Sequence, residues 1–446
     1  MEDINYASYA MDDNIVANGS FEALTKSKNE AWKATSGATF VVENTDGIFK
    51  NQTEYNAKSV NPNYARINVT SAGAGIYNTG YVAVPMAVKE GTEYAFSAFI
   101  KADAAVEATV KVTDGTTAHW ETKFNVPQGT EWIKYSRTVK AKSTKSENLR
   151  LEITFDKAAT VYLDAVAFET KDSTVGIKNY IYDAIKDLSP KFIRFPGGCI
   201  IEGTDESEAY DWKNSIGAVQ NGNNAGDDTV PAFSYKLDED GTVKTATTYG
   251  EPATRKPNKD NWYGPEYYDM EYAIGFYEYF LLCDSVGASA VPVLNCGLSD
   301  QGGLKYKNPP HALAGRHNKK VEDYIHDAVD LIEFAKGGTD TKWGKIREQL
   351  GHAEPFAMDY LGIGNEQFGT EYFQGYYEKF LDSELFQNAL KTYSVKPIVG
   401  NAMTLGDCEN PARNSLGAAQ AAARIYRNKH ALQMPNLTDY GVHDQH

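Results

Sequence analysis

The chain has 446 residues, 42% hydrophobic and 12% aromatic, which is enough for a large barrel and a smaller module, each with its own core. Its net charge of −16 and pI near 5.0 exclude nucleic acid as a partner, because phosphate binding needs a basic surface, and a neutral ligand fits better. Tyr outnumbers Phe, 29 to 19, and there are 6 Trp; this mixture suits a sugar, whose C–H faces stack on rings while phenols reach its hydroxyls.

From about residue 14 to about 170 the texture is all-β. Short alternating runs at 94–100, 108–112, 132–135, 149–153 and 161–166 are separated by Gly, Asp and Thr turns, and several strands at this spacing predict a β-sandwich. After about residue 174 the rhythm changes to helix, apolar strand, loop. A helix over 177–188, stopped by Ser189-Pro190, precedes a strand at 192–195. Helices over 272–286, 321–336 (stopped by Gly337-Gly338), from about 380 onward, and 418–431 precede strands at 290–295, 360–364, 395–399 and 440–442. Strands apolar on both faces and alternating with helices imply a parallel sheet covered on both sides, and this many units favours a TIM-type (β/α) barrel. About 70 residues separate Gly203 from the helix near Tyr272, far more than an ordinary connection. They read either as a wall of a cleft or as a disordered acidic excursion.

Polar residues gather where these strands end: Arg194, Asn295, Asn365-Glu366, Asn401, and His443, Asp444 and His446. In a barrel the loops at the C-terminal strand ends surround one pocket, so chemistry belongs there. In Gly362-Ile-Gly-Asn-Glu-Gln-Phe-Gly369, Glu366 follows a buried strand. A glycosidic oxygen leaves badly unless protonated, and partial burial beside aromatics such as Phe368 would keep this carboxyl neutral enough to protonate it. Asn365 is suited to a neighbouring hydroxyl. In Arg194-Phe-Pro-Gly-Gly-Cys-Ile-Ile-Glu-Gly203 the glycines permit a sharp turn against a ligand, and Arg194 offers donors to hydroxyls or to a carboxylate. A phosphate cradle would need Gly-x-x-x-x-Gly-Lys-Ser/Thr, which is absent.

Cys199, Cys283, Cys296 and Cys408 show no CxxC spacing and no cluster with His, so they read as buried free thiols and no metal or other cofactor is expected. No stretch approaches the roughly 18 apolar residues of a membrane span, and no membrane partner is expected. The N-terminus has no basic start followed by an apolar run, and residues 2–6 already read as folded structure. A secreted or cell-surface location is expected if a signal peptide precedes the chain, and a cytoplasmic one otherwise. Nothing in the sequence speaks to oligomeric state.

Several motifs together resemble glycoside hydrolase family 51: Glu2-Asp-Ile-Asn-Tyr-Ala7, Asn18-Gly-Ser-Phe-Glu22, the Phe192–Gly203 run with Tyr210-Asp-Trp-Lys-Asn-Ser-Ile-Gly217, Gly275-Phe-Tyr-Glu-Tyr-Phe280, and Ile363-Gly-Asn-Glu-Gln367. They occur in that family's order. The resemblance implies a (β/α)8 TIM barrel with a carbohydrate-binding-like, jelly-roll-like sandwich inserted after its first strand. The expected parts are then 1–13 as the first barrel strand, 14–172 as the sandwich, and 173–446 as barrel strands two to six. It also implies a retaining, exo-acting α-L-arabinofuranosidase that releases terminal arabinofuranose from arabinoxylan, arabinan or arabino-oligosaccharides. Glu366 would be its general acid/base and Asn365 a sugar ligand, with Glu2, Arg194 and His446 lining the same subsite. Cys199 stands where other branches of the family carry a ligand-binding Asn, and Asn295 joins the set as a strand-end residue.

A retaining enzyme needs a second carboxylate about 5–5.5 Å from the first. In the family it is a glutamate on the seventh strand, and about six strands are counted here. The chain is therefore expected to be an inactive or nearly inactive piece with an incomplete, aggregation-prone barrel edge. Asp444 is the alternative nucleophile. Two other readings stand beside this one: another retaining barrel glycosidase, a xylosidase or endoglucanase; or a non-catalytic carbohydrate-binding protein whose sandwich does the binding, with Trp32, Trp120 and Trp132 as its candidate aromatics.

Overall fold

The period-two runs of the first part form ten strands: β1 (Trp32–Ala34), β2 (Ala38–Glu43), β3 (Tyr64–Val69), β4 (Ala74–Asn78), β5 (Glu93–Ala102), β6 (Val106–Thr113), β7 (Ala118–Val126), β8 (Ile133–Lys140), β9 (Arg150–Phe155) and β10 (Ala159–Thr170). This computed structural model describes residues 10–21, 31–47, 63–81, 84–201, 209–216, 233–237, 243–248, 258–260, 268–270, 274–297, 320–365, 376–399 and 442–443. The ten strands make two antiparallel sheets, ordered β1-β4-β9-β6-β7 and β8-β5-β10-β3-β2. Alternation sends Ile76, Val110, Ile153 and Trp120 from one sheet and Ile67, Phe96, Ile100 and Leu163 from the other into a shared core where all are inaccessible to solvent. Burying each aliphatic or phenyl side chain stabilises by about 1.5–3 kcal/mol relative to leaving it exposed.

The outer faces carry the charges. Across one sheet, Tyr77, Glu152, Lys111 and Glu121 stand directly opposite one another in successive strands. Burial pushes the Glu152 carboxyl up, but Lys111 at 2.8 Å and Arg150 at 2.6 Å outweigh it and hold it below its usual range. The two cations take one carboxylate oxygen each, and the triad ties two neighbouring strands at the middle of the sheet.

The sandwich is entered and left at neighbouring points. Asn14 forms an antiparallel bridge with Glu169 at the end of β10, and Asp12 forms another with Ile177. The Asp13 N–H donates to the Gly176 carbonyl at 3.0 Å, and the Thr170 N–H donates to the Asp13 carbonyl at 3.0 Å. Segment 12–14 thus lies between the last strand of the sandwich and the small hairpin of Ser173–Thr174 and Ile177–Lys178.

The second part begins with α1 (Asn179–Asp187) and β11 (Phe192–Phe195), followed by α2 (Phe276–Val286), β12 (Ser289–Leu294), α3 (Val321–Lys336), α4 (Lys342–Gln349), β13 (Tyr360–Ile363), α5 (Glu378–Asp382), α6 (Glu384–Tyr393), β14 (Lys396–Val399) and β15 (Val442–His443). The five strands are parallel and adjacent in chain order, β11-β12-β13-β14-β15. They fall where strands were expected at 192–195, 290–295, 360–364, 395–399 and 440–442; the expected first strand, around Glu2, and the helix over 418–431 lie outside the described residues.

Helix ends follow local chemistry. The Glu278 carboxylate accepts from the Gly275 N–H at 2.9 Å at the start of α2, and Gly287, with φ of 71°, ends it in the left-handed conformation. Thr341 caps α4 through the Gly344 N–H at 3.1 Å; this short helix was not expected from the sequence. Ser383 breaks the expected single helix after residue 380 into α5 and α6, its hydroxyl accepting from the Phe386 N–H at 3.3 Å. The core between helices and sheet is aromatic. Phe195 of β11 packs on Phe276, Tyr279 and Phe280 of α2, and Trp212 packs on Trp343 and Phe334.

Candidate active site

Because the sheet is parallel, residues that end its strands share one rim. Arg194 is the third residue of β11, Asn295 follows β12, and Asn365 lies two residues past β13. Arg194 reaches across the intervening strand. Its Nη2 donates to Asn365 Oδ1 at 2.8 Å, and its Nη1 donates to the Gly197 carbonyl at 3.0 Å. Asn365 is fully buried. Its amide oxygen accepts from the guanidinium, a neutral partner that leaves the positive charge of Arg194 in place.

Asn295, also buried, donates from Nδ2 to the Ile201 carbonyl at 3.0 Å and accepts at Oδ1 from the Gly297 N–H at 2.8 Å. Ile201 closes the 3-10 turn Cys199–Ile201, which places position 199 on the segment directly after β11. The Gly364 N–H donates to the Leu294 carbonyl at 2.7 Å, tying the end of β13 to β12 just before Asn365. Of the residues expected in the site, Arg194 and Asn365 touch, and Asn295 holds the turn that begins at Cys199. Glu2, Glu366, Asp444 and His446 lie outside the described residues.

The start of the long connection after β11 is nailed down by buried polar groups from the Tyr210–Gly217 motif, whose individual roles the sequence did not give. Trp212 Nε1 donates to the Asp327 carbonyl at 3.1 Å, and the Phe276 N–H donates to Ser215 Oγ at 3.1 Å. Lys213 is buried with its ammonium 2.7 Å from Asp327 and 2.5 Å from Asp330 of α3. Burial alone would lower the Lys213 pKa, but the two carboxylates outweigh it and hold it above its ordinary value. Arg347 of α4 is fully buried and donates to four backbone carbonyls: Phe334 at 2.6 Å, Gly337 at 2.8 Å, Ala353 at 2.7 Å and His352 at 3.1 Å. It joins the end of α3 to the segment that leads into β13. Spacing could not reveal this, because the carbonyls carry no residue-type signature.

Cys283 and Cys296 are buried free thiols, and burial pushes Cys283 up to about 12, so it is unreactive near neutral pH. Among the described residues no group of three His, Cys, Asp or Glu is set to hold a metal ion, and no helix is long and apolar enough to cross a membrane.

In the sandwich, Trp32 and Trp120 are core residues whose indoles donate to the Asn18 and Val139 carbonyls. Trp132 differs. With Tyr64 and Tyr162 it surrounds the Lys101 ammonium at 4.5, 5.8 and 5.1 Å, while Asp46 binds that ammonium at 2.5 Å and the Asp46 carbonyl accepts from Trp132 Nε1 at 2.8 Å. The cluster stands on the outer face of the second sheet, with Lys101 6% exposed.

These observations define a two-part chain, an antiparallel sandwich followed by a parallel β/α sheet whose rim carries a guanidinium and two amides. The chain belongs to the alpha-L-arabinofuranosidase 1 domain family, which matches residues 184–440, more than half of its length. A carbohydrate binding domain family matches residues 13–160. Among curated proteins it is 28% identical over 326 residues to alpha-L-arabinofuranosidase 1 of Arabidopsis thaliana, covering 70% of this chain and 40% of that protein. It is 30% identical over 391 residues to the extracellular exo-alpha-L-arabinofuranosidase of Streptomyces chartreusis, covering 82% and 39%. The chain thus spans about two fifths of the length of these relatives. It shares its fold with an arabinose-bound family 51 α-L-arabinofuranosidase, MgGH51, at a TM-score of 0.69 and 18% identity over 91% of this chain and 58% of that one.

Proposed function

We propose that the protein is a retaining, exo-acting α-L-arabinofuranosidase that releases terminal arabinofuranose from arabinoxylan, arabinan or arabino-oligosaccharides. The observation that carries this reading is the Arg194–Asn365 bond across the rim, with a buried amide immediately before Glu366. Glu366 is the general acid/base: it protonates the leaving oxygen, then deprotonates the water that releases the sugar. Asn365, held by Arg194, is the sugar ligand beside Glu366, and Glu2, Cys199 and His446 belong to the same subsite. The nucleophile's role is assigned to no residue among the 446. The five described parallel strands are read as strands two to six of a (β/α)8 barrel, with residues 1–13 as the first and the sandwich, 14–172, inserted after it. The match of residues 13–160 to a carbohydrate binding domain supports a saccharide as the ligand of the sandwich also.

Hydrolysis of 4-nitrophenyl α-L-arabinofuranoside by a longer form that joins this chain to the nucleophile, compared with the β-xylopyranoside and β-glucopyranoside, tests the reading. The arabinofuranoside is the expected substrate, and preference for either pyranoside overturns the assignment. Glu366→Gln lowers kcat most for substrates with poor leaving groups, because those depend most on the lost proton.

A further inference from the structure

Asn295 ends β12 between the two strands that carry Arg194 and Asn365, and its amide is engaged in opposite directions. Its oxygen accepts from the Gly297 N–H at 2.8 Å, and its nitrogen donates to the Ile201 carbonyl at 3.0 Å. The Gly297 side of this arrangement is rigid. Gly297 has a φ of 101°, and a Cβ there would lie 3.3 Å from Tyr324 and 3.4 Å from Tyr376. The backbone that Asn295 leans on is therefore wedged between two rings, and the side chain acts as a fixed strut toward Ile201. At the other end of the same turn, Arg194 donates to the Gly197 carbonyl at 3.0 Å while its second nitrogen holds Asn365. Side chains from two adjacent strands thus grip the backbone of 197–201 at both ends. Within it the Ile201 N–H closes onto the Gly198 carbonyl at 3.2 Å.

We propose that Asn295 is a positioning residue: it fixes the turn after β11, so that the Gly197 carbonyl sets the Arg194 guanidinium and, through it, the Asn365 amide beside Glu366. This rests on the reading of the rim as a glycosidase subsite. A residue that acts in this way is felt at the sugar without touching it. Its contribution runs through Arg194, which separates it from an independent sugar ligand and from a residue that only stabilises the fold.

The test uses Asn295→Asp and Asn295→Leu in the whole chain, each first shown to melt cooperatively. Aspartate keeps the acceptor for the Gly297 N–H and loses the donor to Ile201; leucine loses both. Site-resolved hydrogen exchange is expected to show the Ile201 amide exchanging about tenfold faster or more in both variants, and the Gly297 amide faster only in the leucine variant. In a longer form that joins this chain to the nucleophile, kcat/KM on the aryl arabinofuranoside is expected to fall about 10- to 100-fold in Asn295→Asp, and adding Arg194→Lys is expected to cost less than the sum of the two single changes. Unchanged Ile201 exchange in both variants overturns the proposal. So do strictly additive losses carried by KM, which would make Asn295 an independent ligand. If exchange behaves as expected but a longer form that joins this chain to the nucleophile hydrolyses none of the three glycosides, the glycosidase reading fails while the tether stands.

Discussion

The two regions tie different parts of the chain together with their polar side chains. In the sandwich the ion pairs stand on the outer faces of the sheets, where Glu152, Lys111 and Arg150 or Lys101 and Asp46 satisfy each other over a core of interdigitating aliphatic and aromatic groups. In the β/α region the buried charges Arg347 and Lys213 instead hold loops to helices, and their partners are loop carbonyls and helix carboxylates. Apolar packing is indifferent to which loop lies where. A buried guanidinium or ammonium is not, because any arrangement that leaves it unpaired is expensive. The second region therefore holds its rim loops by specific bonds, which is what a site that must keep donors in fixed places needs.

The comparison can be broken most sharply at Lys213. Lys213→Met leaves the partly buried Asp327 and Asp330 without their shared cation and is expected to lower stability by about 2–4 kcal/mol in urea unfolding. A loss no larger than that of a surface change would show that the charged staple is incidental.

Next comes the seam between the regions. The Asp12 carboxyl is buried; its Oδ2 has no hydrogen-bond partner among the described residues, and Asp13, Lys178 and Glu278 are the charged groups around it. Burial above all, then the neighbouring Asp13 charge, raises its pKa well above the ordinary carboxylate value, against the pull of Lys178. The unfolded chain therefore gives up this proton at a lower pH than the folded one. The stability tied to the protonated carboxyl is complete below the ordinary carboxylate pKa and is lost as pH rises through the raised one. Asp12→Asn cannot ionise, so thermal melts from pH 4 to 9 should show the variant gaining on the parent as pH rises; parallel curves would refute this.

Smaller effects belong to the sandwich. Ile153→Val trims one carbon from a fully buried side chain and is expected to cost about 1 kcal/mol by denaturant unfolding, leaving the rim untouched. Glu107→Gln, which breaks the exposed pair with Lys123, should leave the melting midpoint unchanged within error; a clear drop would mean that the outer-face charges matter more than their exposure allows.

Much of the architecture could be read before any coordinates. The strands at 192–195, 290–295 and 360–364 were visible because they are apolar on both faces, and the helix over 321–336 because its period is regular and Gly337-Gly338 ends it. α4 escaped because Lys342–Gln349 is short and mostly polar, and its one signal is the Thr341 cap. In the site, Arg194 and Asn365 were legible as strand-end residues, and the structure brings them into contact. The strut role of Asn295 was not, because its partner is a main-chain carbonyl 94 positions away. Sequence patterns register side chains. They are blind to a carbonyl, which every residue has.

The bridge between Asn14 and Glu169 has a consequence for ancestry and engineering. Paired antiparallel residues lie about 4.5–5.5 Å apart, so the chain enters and leaves the sandwich through two neighbouring segments. Removing 15–168 would leave two ends that a short turn could rejoin. A module attached in this way can be lost, gained or exchanged between genes without any neighbouring strand having to move.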